Sequence, residues 1–306
     1  MAASMVQSAP MSADMLTMLT DELEAFGPVA QILANHADSA TPLYYLRALA
    51  GVRLLTITGR APELAVHLKS LTARLGDPVY SERTRHLFRR TLLDHPDAIR
   101  EAMDRPVQQH QPRRAGYLLR GLGMLAAPKV RLLEIGACAG LNLIFDHYRW
   151  FGSGWQWGDT SSSVRLTAMG PRPGEIQIVH RAGCDISPRD ASNLQDAMIL
   201  RSFIAEESYV EQLELDDAIA LAVHSGVQID KANAVEWLKE QLSLPVPPGT
   251  YTVVWHSLFW WYLSTGDQAA IEEILASAAR NMRLARICYE PNAWAAAPRL
   301  QVTVFS

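Results

Sequence analysis

The sequence predicts an α/β protein: a helical N-terminal region followed by a doubly wound, mostly parallel sheet. Three observations predict it. Up to about Ala127 apolar residues recur at helical spacing with no strand-like alternation. After Pro128, short apolar runs rich in Val and Ile alternate with longer amphipathic segments, the pattern of parallel strands covered by helices on both faces. Finally, VRLLEIGACAGLN (Val130 to Asn142) runs from an apolar stretch through two glycines bracketing three small residues. A bare backbone turn at the carboxyl end of a buried strand is where such sheets bind ligands. The chain is therefore divided into a helical domain, residues 1–127, and an α/β domain, residues 128–306.

In the first domain, Ala61-Pro62-Glu63 opens a helix with proline in its first turn and an acid behind it, and Gly76 closes it. Leu64, Leu68, Leu71 and Leu75 share its apolar stripe. Ser81 is the expected N-cap of the next helix, which carries Leu87, Phe88, Thr91 and Leu92. A third holds Tyr117, Leu118 and Leu122 and ends before Pro128. In the second domain the expected strands are Arg131–Ile135, Ile176–Val179, Gly226–Ile229, Tyr251–Trp255, Arg286–Tyr289 and Leu300–Phe305. Between them fall helices at Leu141–Arg149, around Asn193–Val223, at Ala234–Leu242 and at Gln268–Met282, the last with Asp267 placed to cap it.

Composition narrows the function. Of 306 residues 49% are apolar and 20% charged, enough for a sizeable core. A net charge of −4 argues against nucleic acid as the main partner, because phosphate binding needs a concentrated basic surface. The basic run Arg83 to Arg90 reads as the solvated face of a helix. Cys138, Cys184 and Cys288 are scattered, with no C-x-x-C pair, so neither a disulfide framework nor a metal site is expected. The first residues lack a signal-peptide pattern, and no run approaches the roughly eighteen apolar residues that cross a bilayer. A cytoplasmic protein with no membrane partner is the expectation.

The glycine turn admits two cofactors. Dinucleotide sites usually show G-x-G-x-x-G, because a pyrophosphate rests against the backbone at the helix N-terminus. Here Gly136-Ala137-Cys138-Ala139-Gly140 has cysteine in the middle place, and Glu134 would repel a pyrophosphate. An acid-x-G-x-G/S/A-x-G pattern is common in S-adenosylmethionine methyltransferases, and it favours that donor. On this reading Glu134, Gly136, Ala137, Gly140 and Asn142 meet the methionine end. Asp185, after the second strand, would accept the ribose hydroxyls, or else close an Asx turn before Ser187-Pro188. Asn233 would read the adenine, or else cap a helix. A tight turn with no ligand is the remaining alternative.

The fourth strand ends in VVWHSLFWWYL, which projects His256 and Ser257 where substrate would sit, among Trp255, Trp260, Trp261 and Tyr262. Histidine is the natural general base at neutral pH. A buried, hydrogen-bonded core histidine is the bland reading. No G-x-S-x-G elbow supports a hydrolase. Trp150, Phe151, Trp155 and Trp157, interspersed with glycines and followed by Asp159, read either as an aromatic substrate wall or as an insertion packing its own tryptophans. Asp159, Ser257 and Trp260 are the substrate-contact candidates.

With these residues in hand the chain resembles a bacterial family, domain of unknown function 2332. LLEIGACAGLNL is similar to its glycine-turn motif, RAGCDISPRD to its second-strand motif and TVVWHSLFWWYL to its fourth-strand motif. WGDTSSSVRL and the YEP at Tyr289–Pro291 also resemble it. The likeness runs from about Tyr44 to Pro291. It implies an S-adenosylmethionine methyltransferase type of fold behind a helical region, without naming a reaction. The chain departs from the pattern at Gln108–Gln111, at Ala205–Ser208 and at Asn233, where an aspartate is expected. Its ending after Pro291 is short, so the last antiparallel strand is expected to be missing or altered. The resulting expectation is methyl transfer to a small-molecule acceptor. The competing class is a non-catalytic binding protein that retains the fold.

Overall fold

The structure is a computed structural model and describes residues 10–34, 36, 42–72, 82–292 and 296–305. Ser81, Gly76 and Leu75 lie outside the described residues. Two compact units form: the residues up to His110 together with Leu194–Leu213, and Gln111–Asn193 together with Glu214 onward. The division thus falls at 110/111, ahead of the expected 127/128, and the helical unit takes in a later segment.

The helical unit contains α1 (Pro10–Glu24), α2 (Pro28–Leu33), α3 (Pro42–Ile57), α4 (Pro62–Thr72), α5 (Glu82–Asp94) and α6 (Pro96–Asp104). Five of the six open on proline, whose fixed φ suits the first turn and whose missing N–H costs nothing there. Their apolar faces meet in one core that includes Leu19, Leu33, Leu49, Leu64, Phe88 and Leu92. Helix α7 (Leu194–Ser202) joins this unit by packing Ile199 and Phe203 against Ala50, Leu54 and Val107. The Arg53 guanidinium anchors the turn behind it, donating to Glu206 at 3.0 Å and to Ser12 Oγ at 2.6 Å.

The α/β unit opens with α8 (Ala115–Leu125), preceding α7 in sequence, and its strands are β1 (Lys129–Ile135), β2 (Arg149–Gly152), β3 (Trp155–Gly158), β4 (Arg165–Thr167), β5 (Gln177–Asp185), β6 (Asp230–Lys231), β7 (Tyr251–Ser257), β8 (Leu284–Glu290) and β9 (Arg299–Phe305). Six of them form one sheet in the order β6-β5-β1-β7-β8-β9, parallel except for the antiparallel β8–β9 pair. The long strands β1 and β7 are buried almost throughout, as expected of strands covered on both sides. Against one face lies α8, whose Gly121 sits so close to β8 that an added Cβ would meet Ile287 at 2.5 Å. Helices α10 (Ala234–Ser243) and α11 (Thr265–Ala278) contribute Leu238, Leu242, Ile271 and Leu275 to a core with Leu133, Ile135 and Val254. Helix α9 (Tyr209–Ser225) precedes β6.

Several expectations are corrected. The antiparallel strand after Pro291 is present and pairs with β8 over Leu284–Glu290, so it is neither missing nor unpaired. The third strand is two residues long and begins at Asp230, beyond Gly226–Ile229, where it was expected. The apolar side chains of that segment pack elsewhere: Val227 and Ile229 close over Gly140. Leu141–His147 is a 3₁₀ helix, broken at Ile144, where an α-helix was expected. The long helix expected across Asn193–Val223 is two helices interrupted at 203–208. Ser264, ahead of Asp267, caps α11 by accepting from Asp267 N at 3.0 Å, and its hydroxyl donates back to the Asp267 carboxylate. The glycine-rich aromatic stretch is a small sheet, β3-β2-β4. Trp155 and Trp157 donate to the carbonyls of Gly170 and Gly174, so this insertion packs its own tryptophans.

Candidate functional site

The carboxyl ends of β1, β5, β7 and β8 bring together most of the residues singled out from the sequence. Beyond β1 the chain turns with Gly136, Cys138 and Gly140 all at positive φ (69°, 51° and 71°). Glycine adopts this left-handed conformation freely; Cys138 does so at a cost. Asp185, at the end of β5, stabilises that residue: its Oδ2 accepts from Cys138 N at 2.9 Å while Oδ1 accepts from Ser187 N at 2.8 Å. The Asx turn and the link to the glycine turn therefore coexist in one carboxylate. Ala137 N donates to Cys184 O at 3.0 Å, and the buried Ala137 methyl packs against Gly183.

Glu134 is 1% exposed and accepts from Asn142 Nδ2 at 2.7 Å. Burial drives its pKa from the ordinary 4.5 up to about 8, against the opposing pull of Asn142 and of the Arg114 guanidinium. Its Oε2 and the Asn142 Oδ1 have no hydrogen-bond partner among the described residues. Arg114 ends the short 3₁₀ turn Pro112–Arg114. Desolvation lowers its pKa, while Cys138, Tyr262, Glu134 and Glu290 oppose that shift electrostatically. One guanidinium thus feels both carboxylates at the strand ends. Behind it Tyr117 and Tyr289 stack at 3.7 Å with their hydroxyls 3.1 Å apart.

His256 and Glu290 stand on neighbouring parallel strands, His256 being paired in register with Cys288 two residues before Glu290. Side chains two apart on a strand share a face, so the imidazole and the carboxylate meet. His256 Nδ1 lies 2.8 Å from Glu290 Oε1, with both residues buried. The same oxygen accepts the backbone N–H of Phe259 at 2.9 Å and of Trp260 at 3.3 Å. His256 Nε2 and Glu290 Oε2 have no partner among the described residues. Trp260 stacks on the imidazole at 5.1 Å and is itself covered by the Arg286 guanidinium at 5.3 Å.

The segment after β7 closes over the glycine turn. Leu258 takes φ 50°, and the chain then enters a 3₁₀ turn, Trp260–Tyr262. This sets the Phe259 ring on Gly136, so closely that a Cβ on Gly136 would lie 2.2 Å from Phe259 Cδ2. The close approach foreseen at Gly136 is thus made by an aromatic side chain of the same chain.

Other candidates lie apart from this group. Asn233 is exposed and caps α10, accepting from Val235 N at 2.8 Å. Asp159 is exposed and binds Ser161 N and Oγ in a local turn after β3. Ser257 is half-buried at the end of β7. No group of three or more His, Cys, Asp or Glu fit to hold a metal ion occurs among the described residues. Sequence reasoning missed Glu290, Arg114 and Phe259 as site residues. Glu290 had a readable signal, since it is a lone acid closing the apolar run LARICY, as His256 closes VVW. Phe259 had none, because its place over Gly136 depends on the left-handed Leu258.

A family model describing an uncharacterized protein conserved in bacteria (DUF2332) matches residues 1–306. The chain belongs to that family, as its glycine-turn, second-strand and fourth-strand motifs suggested. No curated protein and no solved structure matches it.

Proposed function

We propose that the α/β unit transfers a methyl group from S-adenosylmethionine to a small-molecule acceptor, with His256 as general base. The observation that supports it most is the buried His256 imidazole, fixed at Nδ1 by Glu290 with Nε2 unpartnered, on the strand next to the one that ends in the left-handed turn tied to Asp185. The residues fit this donor in part. Asp185 keeps lone pairs to accept ribose hydroxyls, since each oxygen so far takes a single amide. Glu134 Oε2 and Asn142 Oδ1 are buried acceptors suited to an ammonium group beside the turn. The methionine end fits only once the Phe259 ring has left Gly136, and Asn233 already commits one Oδ1 lone pair to its helix cap.

The donor, when bound, supplies an electrophilic methyl group. The protein's own part is to orient the acceptor and to take a proton from its O–H or N–H at His256 Nε2. Trp260 holds the imidazole plane by stacking and covers that side of the ring. Burial raises the Glu134 pKa to about 8, and an ammonium group beside it favours the charged carboxylate.

Calorimetric titration with S-adenosylhomocysteine, the product form of the donor, tests the reading. Saturable binding that weakens at least about tenfold in Asp185→Ala is expected, because a hydrogen bond to a charged group contributes about 1.5–3 kcal/mol. Absence of binding to the wild-type chain would remove the methyl donor from the account. In that case the second reading, a non-catalytic protein that retains the fold, gains from the Phe259 ring on Gly136.

A further inference from the structure

We propose that Glu290 is the positioning residue for His256, fixing the imidazole tautomer that leaves Nε2 as a proton acceptor. The inference rests on the reading of His256 as base, yet its geometry stands independently of any donor. Glu290 Oε1 already accepts two backbone N–H groups, from Phe259 and Trp260. An oxygen in that role is an acceptor, so the third contact, at 2.8 Å from His256 Nδ1, has the ring nitrogen donating. In the neutral ring the proton therefore sits on Nδ1, and the lone pair on Nε2. A free imidazole prefers the opposite arrangement, so the carboxylate holds the ring in its less common tautomer.

The same oxygen has a second effect. By binding the amides of residues 259 and 260 it holds the segment that carries the Phe259 ring onto Gly136 and the Trp260 ring onto His256. One carboxylate thus sets both the direction of the base and the covering of the turn beside it. The buried polar cluster of the helical unit, Arg53 with Glu206 and Ser12, ties the turn after α7 to α1 and α3 and contains no histidine.

Nitrogen-15 imidazole NMR on the full-length chain tests this. The His256 resonances are assigned by their disappearance in His256→Gln. The wild-type chain is expected to show a protonated Nδ1 and an unprotonated Nε2 at a pH where the ring is neutral. Glu290→Gln should preserve that tautomer, because three converging donors select the amide oxygen. Glu290→Ala should lose it, moving the proton to Nε2. A wild-type ring protonated on Nε2, or an unchanged tautomer in Glu290→Ala, overturns the proposal. Should Glu290→Ala fail to fold, the wild-type and Glu290→Gln spectra decide. An Nδ1-protonated ring in a protein that binds no S-adenosylhomocysteine supports the positioning role while defeating methyl transfer. Binding of that product by a protein with Nε2 protonated does the reverse.

Discussion

Gly136 combines a left-handed backbone, φ 69°, with an aromatic ring seated where a Cβ would be. A side chain there meets both penalties. Gly136→Ala is expected to cost about 1–2 kcal/mol for the backbone and a further ~1–3 kcal/mol for overpacking against Phe259. In a Phe259→Ala background only the backbone part should remain, which urea unfolding of the four-member cycle would measure. Equal costs in both backgrounds would contradict the packing described. Glu134 makes a second prediction. Between about pH 4.5 and 8 the unfolded chain has released a proton that the folded chain keeps, so this group's contribution to stability falls as pH rises across that window and then levels off. Glu134→Gln, which cannot ionise, should lack that decline; denaturation curves at pH 5 and 8 that change in parallel for both proteins would refute it. The three buried thiols, all raised in pKa by desolvation, should resist alkylation until the chain unfolds.

At the scale of elements, local chemistry and sheet register account for what the sequence revealed. His256 was legible because a polar residue closing an apolar run sits at a strand's carboxyl end, whereas Asp185 was expected beyond a strand ending at Val179 and stands at the end of a longer one, Gln177–Asp185. Asn233 shows where this reasoning stops. Its cap on α10 follows from local sequence, whereas any reach toward a ligand depends on where β6 ends, and that strand is only two residues long. Asn233→Ala should therefore cost about 1 kcal/mol of stability while leaving affinity for S-adenosylhomocysteine unchanged, with calorimetry as the check. A loss of affinity would return Asn233 to the site. The interruption between α7 and α9 was hidden because apolar spacing continues across it. The 3₁₀ course of Leu141–His147 was hidden because distant bonds hold it, among them those of the Arg181 guanidinium to Leu143 O and Asp146. The last strand was doubted on the brevity of the segment, yet RLQVTVF alternates and suits a half-covered edge.

At the scale of the molecule, the two units are interleaved in sequence, which patterning alone does not reveal. Helices α7 and α8 look alike as amphipathic segments, yet α8 covers the sheet and α7 completes the helical core. A fragment of residues 128–306 lacks α8, baring Ile287 and its neighbours on one face. It should bind hydrophobic dyes and melt without cooperativity, while a cooperative melt would contradict the division drawn here. No helix among the described residues is long and apolar enough to cross a membrane.

The site proposed for a methyl donor lies at the carboxyl ends of β1, β5, β7 and β8. Thermal unfolding of the intact chain with S-adenosylhomocysteine, and separately with NADH, tests it most directly. At about a hundred times its dissociation constant a ligand adds roughly 2.7 kcal/mol of stability, which raises the midpoint by several degrees. A rise with S-adenosylhomocysteine and none with NADH is the predicted result. A cooperative transition that neither compound moves, or that NADH alone moves, would contradict the claim.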